Sequence, residues 1–276
     1  MSMEQIVEKY FRPGRLPHIW CPGCSHGIIT GTIVKAIDKV GFDKDETTVV
    51  SGIGCSSRAS GYLDFNTVHS AHGRALPFAT GIKLANPKMN VIVVTGDGDA
   101  SAIGGNHLIH AARRNINITV VLFNNSTYGM TGGQYSPLTP TKSRATTAPY
   151  GTIDRPFDTA KLSIGAGATF VARGTAFHAQ LLVDLIEKGI KHKGFSIIEA
   201  VACCPISFGR QNKLGDAPNM LKWQRDHAVP VTAWDKLDDE KKAGKFPIGI
   251  LYEEQAPEFT EEYAKIIAVA QAKEGK

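Results

Sequence analysis

Long apolar runs are missing from this 276-residue sequence. None approaches the roughly 18 consecutive apolar residues of a membrane-spanning helix, and the first residues, MSMEQIVEKYFRPGRL, lack the apolar core of a secretory signal. We therefore expect a cytoplasmic protein that does not bind membranes. The net charge is +5, but Lys and Arg form no block of the kind that binds nucleic acid. Cysteine is scarce too, and five cysteines in a cytoplasmic chain favour metal or redox chemistry over a disulfide framework.

Apolar segments and amphipathic segments alternate along the chain. Five apolar, β-branched segments are typical of buried strands. They span residues 47–51, 91–95, 118–124, 169–172 and 196–201. Helical spacing of apolar residues is found between them, at residues 27–40, 103–114 and 177–191. Buried strands separated by helices predict an α/β fold, a parallel sheet flanked by helices.

Two regions interrupt this alternation. Residues 127–156 are rich in Gly, Thr, Ser and Pro and have little periodicity, which predicts a long functional loop. Residues 208–246 are polar and irregular. We predict one main domain over residues 1–230 and a C-terminal extension over residues 231–276 that packs on this domain or on a partner subunit.

A Gly-Asp-Gly sequence follows the apolar strand VIVVT, and a helix follows it in turn. Glycine lets the backbone approach a phosphate, the helix start offers free N–H groups, and Asp97 offers an oxygen ligand for Mg²⁺. Asn125 ends the next apolar strand, 28 residues further on, so one crossover brings both side chains to the same edge of the sheet. The alternative is that both segments are ordinary tight turns.

The cysteines lie in three separate segments. Cys21 and Cys24 form CPGC, Cys55 follows the first strand, and Cys203 and Cys204 follow the last one. Four thiolates are the ligand set of a [4Fe–4S] cluster. The same thiols are also compatible with a structural zinc site, with a redox-active CxxC pair, or with unrelated buried cysteines.

The histidines are less informative. His72 precedes Gly73 and Arg74, and its imidazole is a candidate for proton transfer or for a polar contact to a ligand, although it is also compatible with a packed turn. Arg74 is a candidate for holding a carboxylate or a diphosphate, or for pairing with an acidic neighbour. Three other histidines are interpreted as structural. These are His26, His107 and His110.

Several longer motifs resemble one known family. Gly-Asp-Gly followed by Asn-Asn is similar to the motif of thiamine-diphosphate enzymes. The strings WCPGCSHG, SGIGCSSR, HSAHGRALPFATGIKLANP, GDGDASAIGGNHLIHAARRN and NNSTYGMTGGQYSPLTP resemble the β subunits of 2-oxoacid:ferredoxin oxidoreductases. The resemblance covers roughly residues 17–215 and implies that the main domain binds thiamine diphosphate, Mg²⁺ and a [4Fe–4S] cluster.

The resemblance also implies roles for individual residues. Mg²⁺ is held by Asp97, Asn125 and the carbonyl of Thr127. The implied cluster ligands are Cys21, Cys24, Cys55 and Cys204, because Cys204 rather than Cys203 stands before the Pro and Phe-Gly that follow the family's fourth ligand. The cofactor-binding residues expected are Ile53, Gly54, Cys55, Ser56, His72, Gly73, Arg74, Gly96, Gly98, Asp99, Asn125, Tyr128, Gly129, Met130 and Thr131. His72 and Arg74 are the catalytic candidates among them.

The activity implied is coenzyme A-dependent oxidative decarboxylation of a 2-oxoacid, or the reverse carboxylation, with electrons passing through the cluster to ferredoxin. The string MTGGQ resembles the 2-oxoglutarate group; branched-chain 2-oxoacids and pyruvate are the alternatives. The family's activating Glu comes from a pyrimidine-binding domain that this chain lacks, so the resemblance implies an α subunit as partner. Two alternative hypotheses are a non-redox thiamine-diphosphate decarboxylase or synthase and a zinc-stabilised interaction module.

Overall fold

The computed structural model describes residues 2–274. Within them, eight strands form one sheet in the order β2-β1-β3-β4-β6-β5-β8-β7. The strands are β1 (Thr47–Ser51), β2 (Asn66–His69), β3 (Asn90–Gly96), β4 (Ile118–Asn124), β5 (Phe170–Thr175), β6 (Phe195–Val201), β7 (Ala228–Pro230) and β8 (Phe246–Glu253). All pairs from β2 through to β5 are parallel. The predicted fold class is confirmed.

Helices connect the strands and cover both faces of the sheet. They are α1 (Met3–Tyr10), α2 (His26–Val40), α3 (Ala59–Tyr62), α4 (Ala75–Ala85), α5 (Gly105–Arg114), α6 (Thr159–Gly165), α7 (Ala179–Lys191), α8 (Ala217–His227), α9 (Val231–Trp234), α10 (Asp239–Lys242) and α11 (Phe259–Glu274). A 3₁₀ turn at Ser56–Arg58 and π-helical turns at Asp99–Ile103 and Pro205–Gly209 follow three of the strands. None of the helices within residues 2–274 has both the length and the apolarity to cross a lipid bilayer.

The alternating direction of strand side chains builds two cores, one on each face of the sheet. Val94 packs in the same cluster as Ile33 of α2 and Ile186 of α7. Its neighbour Val93 packs on the opposite face, in a cluster that contains Leu108 of α5. Full burial of such a side chain stabilises the fold by about 1.5–3 kcal/mol. The sheet is therefore rigid where its strands end, which is the edge that carries the polar motifs.

The C-terminal region extends the sheet. β8 pairs antiparallel with β5, and β7 pairs parallel with β8. β8 is the last strand but one and β7 is the edge strand. Such mixed sheets are common, because an antiparallel strand can be added without a crossover helix. The sequence interpretation of residues 208–246 as irregular was wrong, because this region contains α8, β7, α9 and α10. The predicted domain boundary at residue 230 stays a prediction.

Candidate functional site

Three oxygen-bearing groups meet at the carboxyl ends of β3 and β4. One terminal atom of the Asn125 amide lies 2.9 Å from the carbonyl oxygen of Thr127 and 3.3 Å from Asp97 Oδ1. If that atom is the amide oxygen, three acceptors face one another, at the spacing of about 3 Å that separates neighbouring ligands of an octahedral Mg²⁺ ion. If it is the nitrogen, it donates to both oxygens instead. The oxygen arrangement fits a bound Mg²⁺ ion.

Asp97 is held rigidly in this arrangement. Its Oδ1 accepts a hydrogen bond from the Gly98 N–H at 2.9 Å, and its Oδ2 accepts one from Ser136 Oγ at 2.7 Å. Burial raises the pKa of Asp97 to about 7, although the hydrogen bonds from Ser136 and Gly98 oppose this. A cation beside the carboxylate would offset the cost of burying its charge. Sequence reasoning missed Ser136, which lies in the long loop without any periodic signal.

Asp99 ties together the loops that follow β1, β2 and β3. Its Oδ1 accepts from the Gly73 N–H at 2.6 Å and lies 2.9 Å from His72 Nδ1, and its Oδ2 accepts from Thr95 Oγ1 at 2.8 Å. The Ile53 N–H also approaches Oδ1, at 3.3 Å. A proton on His72 Nδ1 is directed at Asp99, which leaves Nε2 of the same ring free to accept or deliver a proton.

Two glycines of the predicted motifs are required by close approaches. A Cβ atom on Gly98 would lie 2.1 Å from Cε1 of the Tyr128 ring, and one on Gly52 would lie 2.0 Å from Asp99 Oδ2. Neither distance is compatible with any larger residue. The second glycine of Gly-Asp-Gly therefore makes room for the loop after β4, in addition to any approach to a phosphate.

A cavity of about 270 Å³ opens along these groups. Its wall contains every predicted cofactor-binding residue except Gly73 and Arg74. The residues in the wall are His26, Ile53, Gly54, Cys55, Ser56, His72, Gly96, Asp97, Gly98, Asp99, Phe123, Asn125, Thr127, Tyr128, Gly129, Met130 and Thr131. Arg74 lies beside this cofactor cleft, and its Nη1 faces the carbonyl oxygens of Gly73 and Ile103, each at 3.4 Å. His26 and Phe123 were not expected in the wall.

Gly129 lies close to both the Asn125 amide and two of the thiols. A Cβ atom on Gly129 would lie 3.3 Å from Cys55 Sγ, 3.7 Å from Cys204 Sγ and 3.8 Å from Asn125 Nδ2. Cys55 and Cys204, separated by most of the chain, thus face a common point at the side of the cofactor cleft. Chain folding brings them there because both residues follow the carboxyl ends of parallel strands.

The CPGC segment completes a group of four thiols. The Cys24 N–H donates to the Cys21 carbonyl at 3.0 Å, which closes a tight turn. Burial, reinforced by the nearby thiols of Cys204, Cys55 and Cys21, raises the pKa of Cys24 to about 12. Burial followed by Cys204 and Cys21 likewise raises the pKa of Cys55 to about 11. The four sulfurs are therefore close enough to influence one another's charge.

The donor set fits a [4Fe–4S] cluster in kind and number. Each cysteine of such a cluster binds a different iron atom, so the sulfurs stand further apart than the ligands of a single ion. Within residues 2–274, no group of three or more His, Cys, Asp or Glu side chains is arranged to hold a single metal ion.

Cys203, the neighbour of Cys204 in the chain, has polar contacts of its own. It is buried, its N–H donates to Ser25 Oγ at 2.7 Å, and its Sγ accepts from Gln224 Nε2 at 3.2 Å. These contacts fasten the end of β6 to the segment before α2 and to α8. They match the interpretation of Cys203 as a small buried residue.

A second cavity, of about 670 Å³, lies on the other side of the Asn124–Asn125 pair. Its polar wall contains a buried ion pair, in which Arg173 Nε lies 2.9 Å from Glu199 Oε2. Arg173 Nη2 also lies 2.9 Å from Asp158 Oδ1. The Glu199 carboxylate accepts two further hydrogen bonds, from Asn124 Nδ2 at 2.7 Å and from Thr159 Oγ1 at 2.6 Å.

Comparison with known proteins identifies the family. Residues 52–200 match the family described as "Thiamine pyrophosphate enzyme, C-terminal TPP binding domain". The chain is 49% identical over 268 residues to 2-oxoglutarate synthase subunit KorB of Methanothermobacter marburgensis, covering 97% of this chain and 93% of the relative. It is 38% identical to 2-oxoacid:ferredoxin oxidoreductase 2, subunit beta, of Aeropyrum pernix, covering 88% and 82%. This chain belongs to the family of 2-oxoacid:ferredoxin oxidoreductase β subunits.

A solved structure supports the same family. The 2-oxoglutarate:ferredoxin oxidoreductase from Magnetococcus marinus, with 2-oxoglutarate, coenzyme A and succinyl-CoA bound, matches with a TM-score of 0.86 and 35% identity. The match covers 96% of this chain and 90% of that chain. The family resemblance predicted from the sequence is thereby confirmed. The thiamine pyrophosphate domain match of this β subunit includes Asp97 and Asn125 but ends before Cys204.

Proposed function

We propose that this chain is the β subunit of a 2-oxoglutarate:ferredoxin oxidoreductase. It binds thiamine diphosphate through Mg²⁺ in the cofactor cleft and one [4Fe–4S] cluster at the four thiols. The reaction is the coenzyme A-dependent oxidative decarboxylation of 2-oxoglutarate, or its reverse, and ferredoxin is the electron carrier. The single observation that carries the proposal is the meeting of an oxygen donor set and a thiol donor set on either side of Gly129.

The chain's own residues hold and orient the cofactor. Asp97, Asn125 and the Thr127 carbonyl bind Mg²⁺, and Ser136 keeps the Asp97 carboxylate in place. The bound thiamine diphosphate supplies a carbon centre that can accept the electron pair released when the carboxylate leaves. Tyr128 packs over Gly98 and fixes the loop that covers this region.

His72 is the proposed acid–base group. Asp99 accepts from Nδ1 of its ring, so Nε2 is the nitrogen that can exchange a proton with the substrate. The ring of Tyr128 packs edge-on against His72 at 6.1 Å and restricts its rotation. Arg74, whose guanidinium lies beside the cleft, is proposed to bind a substrate carboxylate after it releases its two backbone carbonyls.

An α subunit completes the site. Thiamine diphosphate is activated in this superfamily by a Glu, and the part of the cleft wall that the structure describes contains aspartate but no glutamate. Exposed apolar side chains surround the cleft mouth, namely Ile53, Ile103 and Met130. Exposed apolar side chains at a cleft, as Ile53 and Met130 are, suit a surface that a partner covers. We also propose a cytoplasmic location, since five free thiols suit a reducing compartment.

The test is to co-express the chain with its α subunit, purify the complex without oxygen, and measure iron, thiamine diphosphate and coenzyme A-dependent ferredoxin reduction. We expect 2-oxoglutarate to be preferred over pyruvate and branched-chain 2-oxoacids. Zinc without iron or thiamine diphosphate would favour an interaction module, and decarboxylation without ferredoxin reduction would favour a non-redox enzyme. Full activity of this chain alone would refute the proposal that an α subunit completes the site.

A further inference from the structure

His26 occupies an unusual position between the cofactor cleft and the thiols. It is the first residue of α2 and is only 1% exposed, yet its ring forms part of the cleft wall. The ring packs edge-on against Phe123, with centroids 5.2 Å apart, and lies 6.0 Å from the ring of Trp20. Aromatic contacts of this kind fix the plane of the imidazole.

The fixed ring directs one nitrogen at a sulfur. Nδ1 of His26 lies 3.2 Å from Cys24 Sγ, and this sulfur is the one hydrogen-bond partner of the ring within residues 2–274. A neutral imidazole carries a proton on one nitrogen, and a thiolate sulfur can only accept, so contact with a thiolate places the proton on Nδ1. The other nitrogen of the neutral ring, Nε2, then carries no proton.

We propose that His26 is a positioning residue that donates a hydrogen bond from Nδ1 to Cys24 Sγ and thereby stabilises the reduced iron–sulfur cluster. The inference rests on the proposed function, because it requires a cluster on Cys24. A hydrogen bond to a ligand sulfur withdraws negative charge, and hydrogen bonds to the sulfurs are among the factors that set cluster potentials. A bound cluster would accept one electron at a time from the bound thiamine diphosphate and pass it to ferredoxin, while the Nδ1 proton would stay on His26.

A packing role alone explains less of the geometry. Packing would be satisfied by any aromatic ring between Phe123 and Trp20, and it would not require a nitrogen directed at a sulfur. The backbone of the same turn is fastened independently, because Ser25 Oγ accepts from the Cys203 N–H. The hydrogen bond from the ring is therefore separable from the fold of the segment.

The experiment compares the cluster potential of His26→Phe, which keeps a ring but loses the donor, with that of His26→Asn, whose amide N–H can replace Nδ1. In the complete complex, potentials are measured by redox titration of the reduced cluster's electron paramagnetic resonance signal. We expect His26→Phe to lower the ratio of reduced to oxidised cluster at a given potential ~10-fold, which is about 59 mV for one electron. His26→Asn should restore most of this shift.

His192 offers a matched control. It is also buried, but its Nε2 pairs with Thr169 Oγ1 at 2.7 Å, outside the site, so His192→Leu should leave the potential unchanged. An unchanged potential in His26→Phe with full iron content would overturn the inference and leave the proposed function intact. Wild-type complex without iron would overturn both. If His26→Phe fails to retain iron, His26→Leu is titrated instead, with the same two outcomes.

Discussion

The two cavities on either side of Asn124–Asn125 are built on opposite principles. In the larger one, Arg173 is paired with two carboxylates and every oxygen of Glu199 accepts a hydrogen bond. In the smaller one, the cofactor cleft, oxygens of Asp97 and Thr127 lie within 3.3 Å of the Asn125 amide. Buried charges that satisfy one another are costly to separate, whereas acceptors that face one another are prepared for a cation.

The difference teaches that cavity size is a poor guide to chemistry in this protein. In the larger cavity, Arg173 and Glu199 join β5 to β6 and are already paired with each other. The smaller cavity keeps Asp97 buried at a raised pKa and directs thiols to its side. Acceptors that face one another are therefore the better indicator of where a cation binds.

The largest effect is expected when Asp97 is replaced. Asp97→Asn removes the charged ligand, and we expect Mg²⁺-dependent thiamine diphosphate binding to weaken more than ~100-fold, because loss of groups that merely orient ligands already costs about 10–100-fold. Calorimetric titration of the complex measures the affinity. Asp154→Asn, in the same loop region but outside the cleft wall, is the control. Undiminished thiamine diphosphate binding by Asp97→Asn would contradict the proposal that the smaller cavity binds the cofactor.

The second-largest effect is expected when a proposed cluster ligand is replaced, in comparison with a cysteine that is not a ligand. Cys55→Ala should abolish ferredoxin reduction and lower the iron content, while thiamine diphosphate still binds, because one cluster ligand is lost. Cys203→Ala should keep its iron and its activity, since Cys203 Sγ contacts Gln224 rather than the other thiols. Iron analysis and ferredoxin-linked assays measure both. A normal ferredoxin rate in Cys55→Ala would remove this residue from the ligands.

The third effect concerns stability rather than chemistry. Arg173→Met leaves the buried Glu199 carboxylate without its charge partner, and we expect the free energy of unfolding to fall by about 3–5 kcal/mol. Urea unfolding measures the loss, and Arg173→Met combined with Glu199→Gln should recover part of it. Cofactor affinity of the folded protein should change little. A lost affinity with unchanged stability would make the larger cavity part of the active site.

The smallest effect is expected at the surface, outside both cavities. Lys191 and Lys39 pair with Glu187, each at 2.6 Å, and lower the pKa of Glu187 to about 2. The pair therefore stabilises the fold fully above the ordinary pKa of 4.5, and this contribution is lost as the pH falls toward 2.

Glu187→Gln should accordingly lower the urea midpoint slightly at pH 7 and have less effect at pH 3. Glu46→Gln, an exposed residue without an ion pair among the described residues, is the control. An equal change of the urea midpoint by Glu187→Gln at pH 7 and at pH 3 would contradict the lowered pKa of Glu187.

Much of the site followed from local pattern. Asp97 and Asn125 could be paired from the sequence because each directly follows an apolar strand, and one crossover lies between them. Ser136 could not be found, because nothing in the long loop indicates that it returns to the Asp97 carboxylate. His26 was interpreted as structural, since its contact with Cys24 depends on how the ring is turned.

The sequence by itself determined the parallel sheet, its helical cover and the motifs at the strand ends, because apolar periodicity is a local property of the chain. Only the tertiary structure decided that β8 joins antiparallel, and that Cys55 and Cys204 face one point beside Gly129. Such contacts join residues far apart in the chain, and they depend on packing and side-chain orientation that no local pattern encodes.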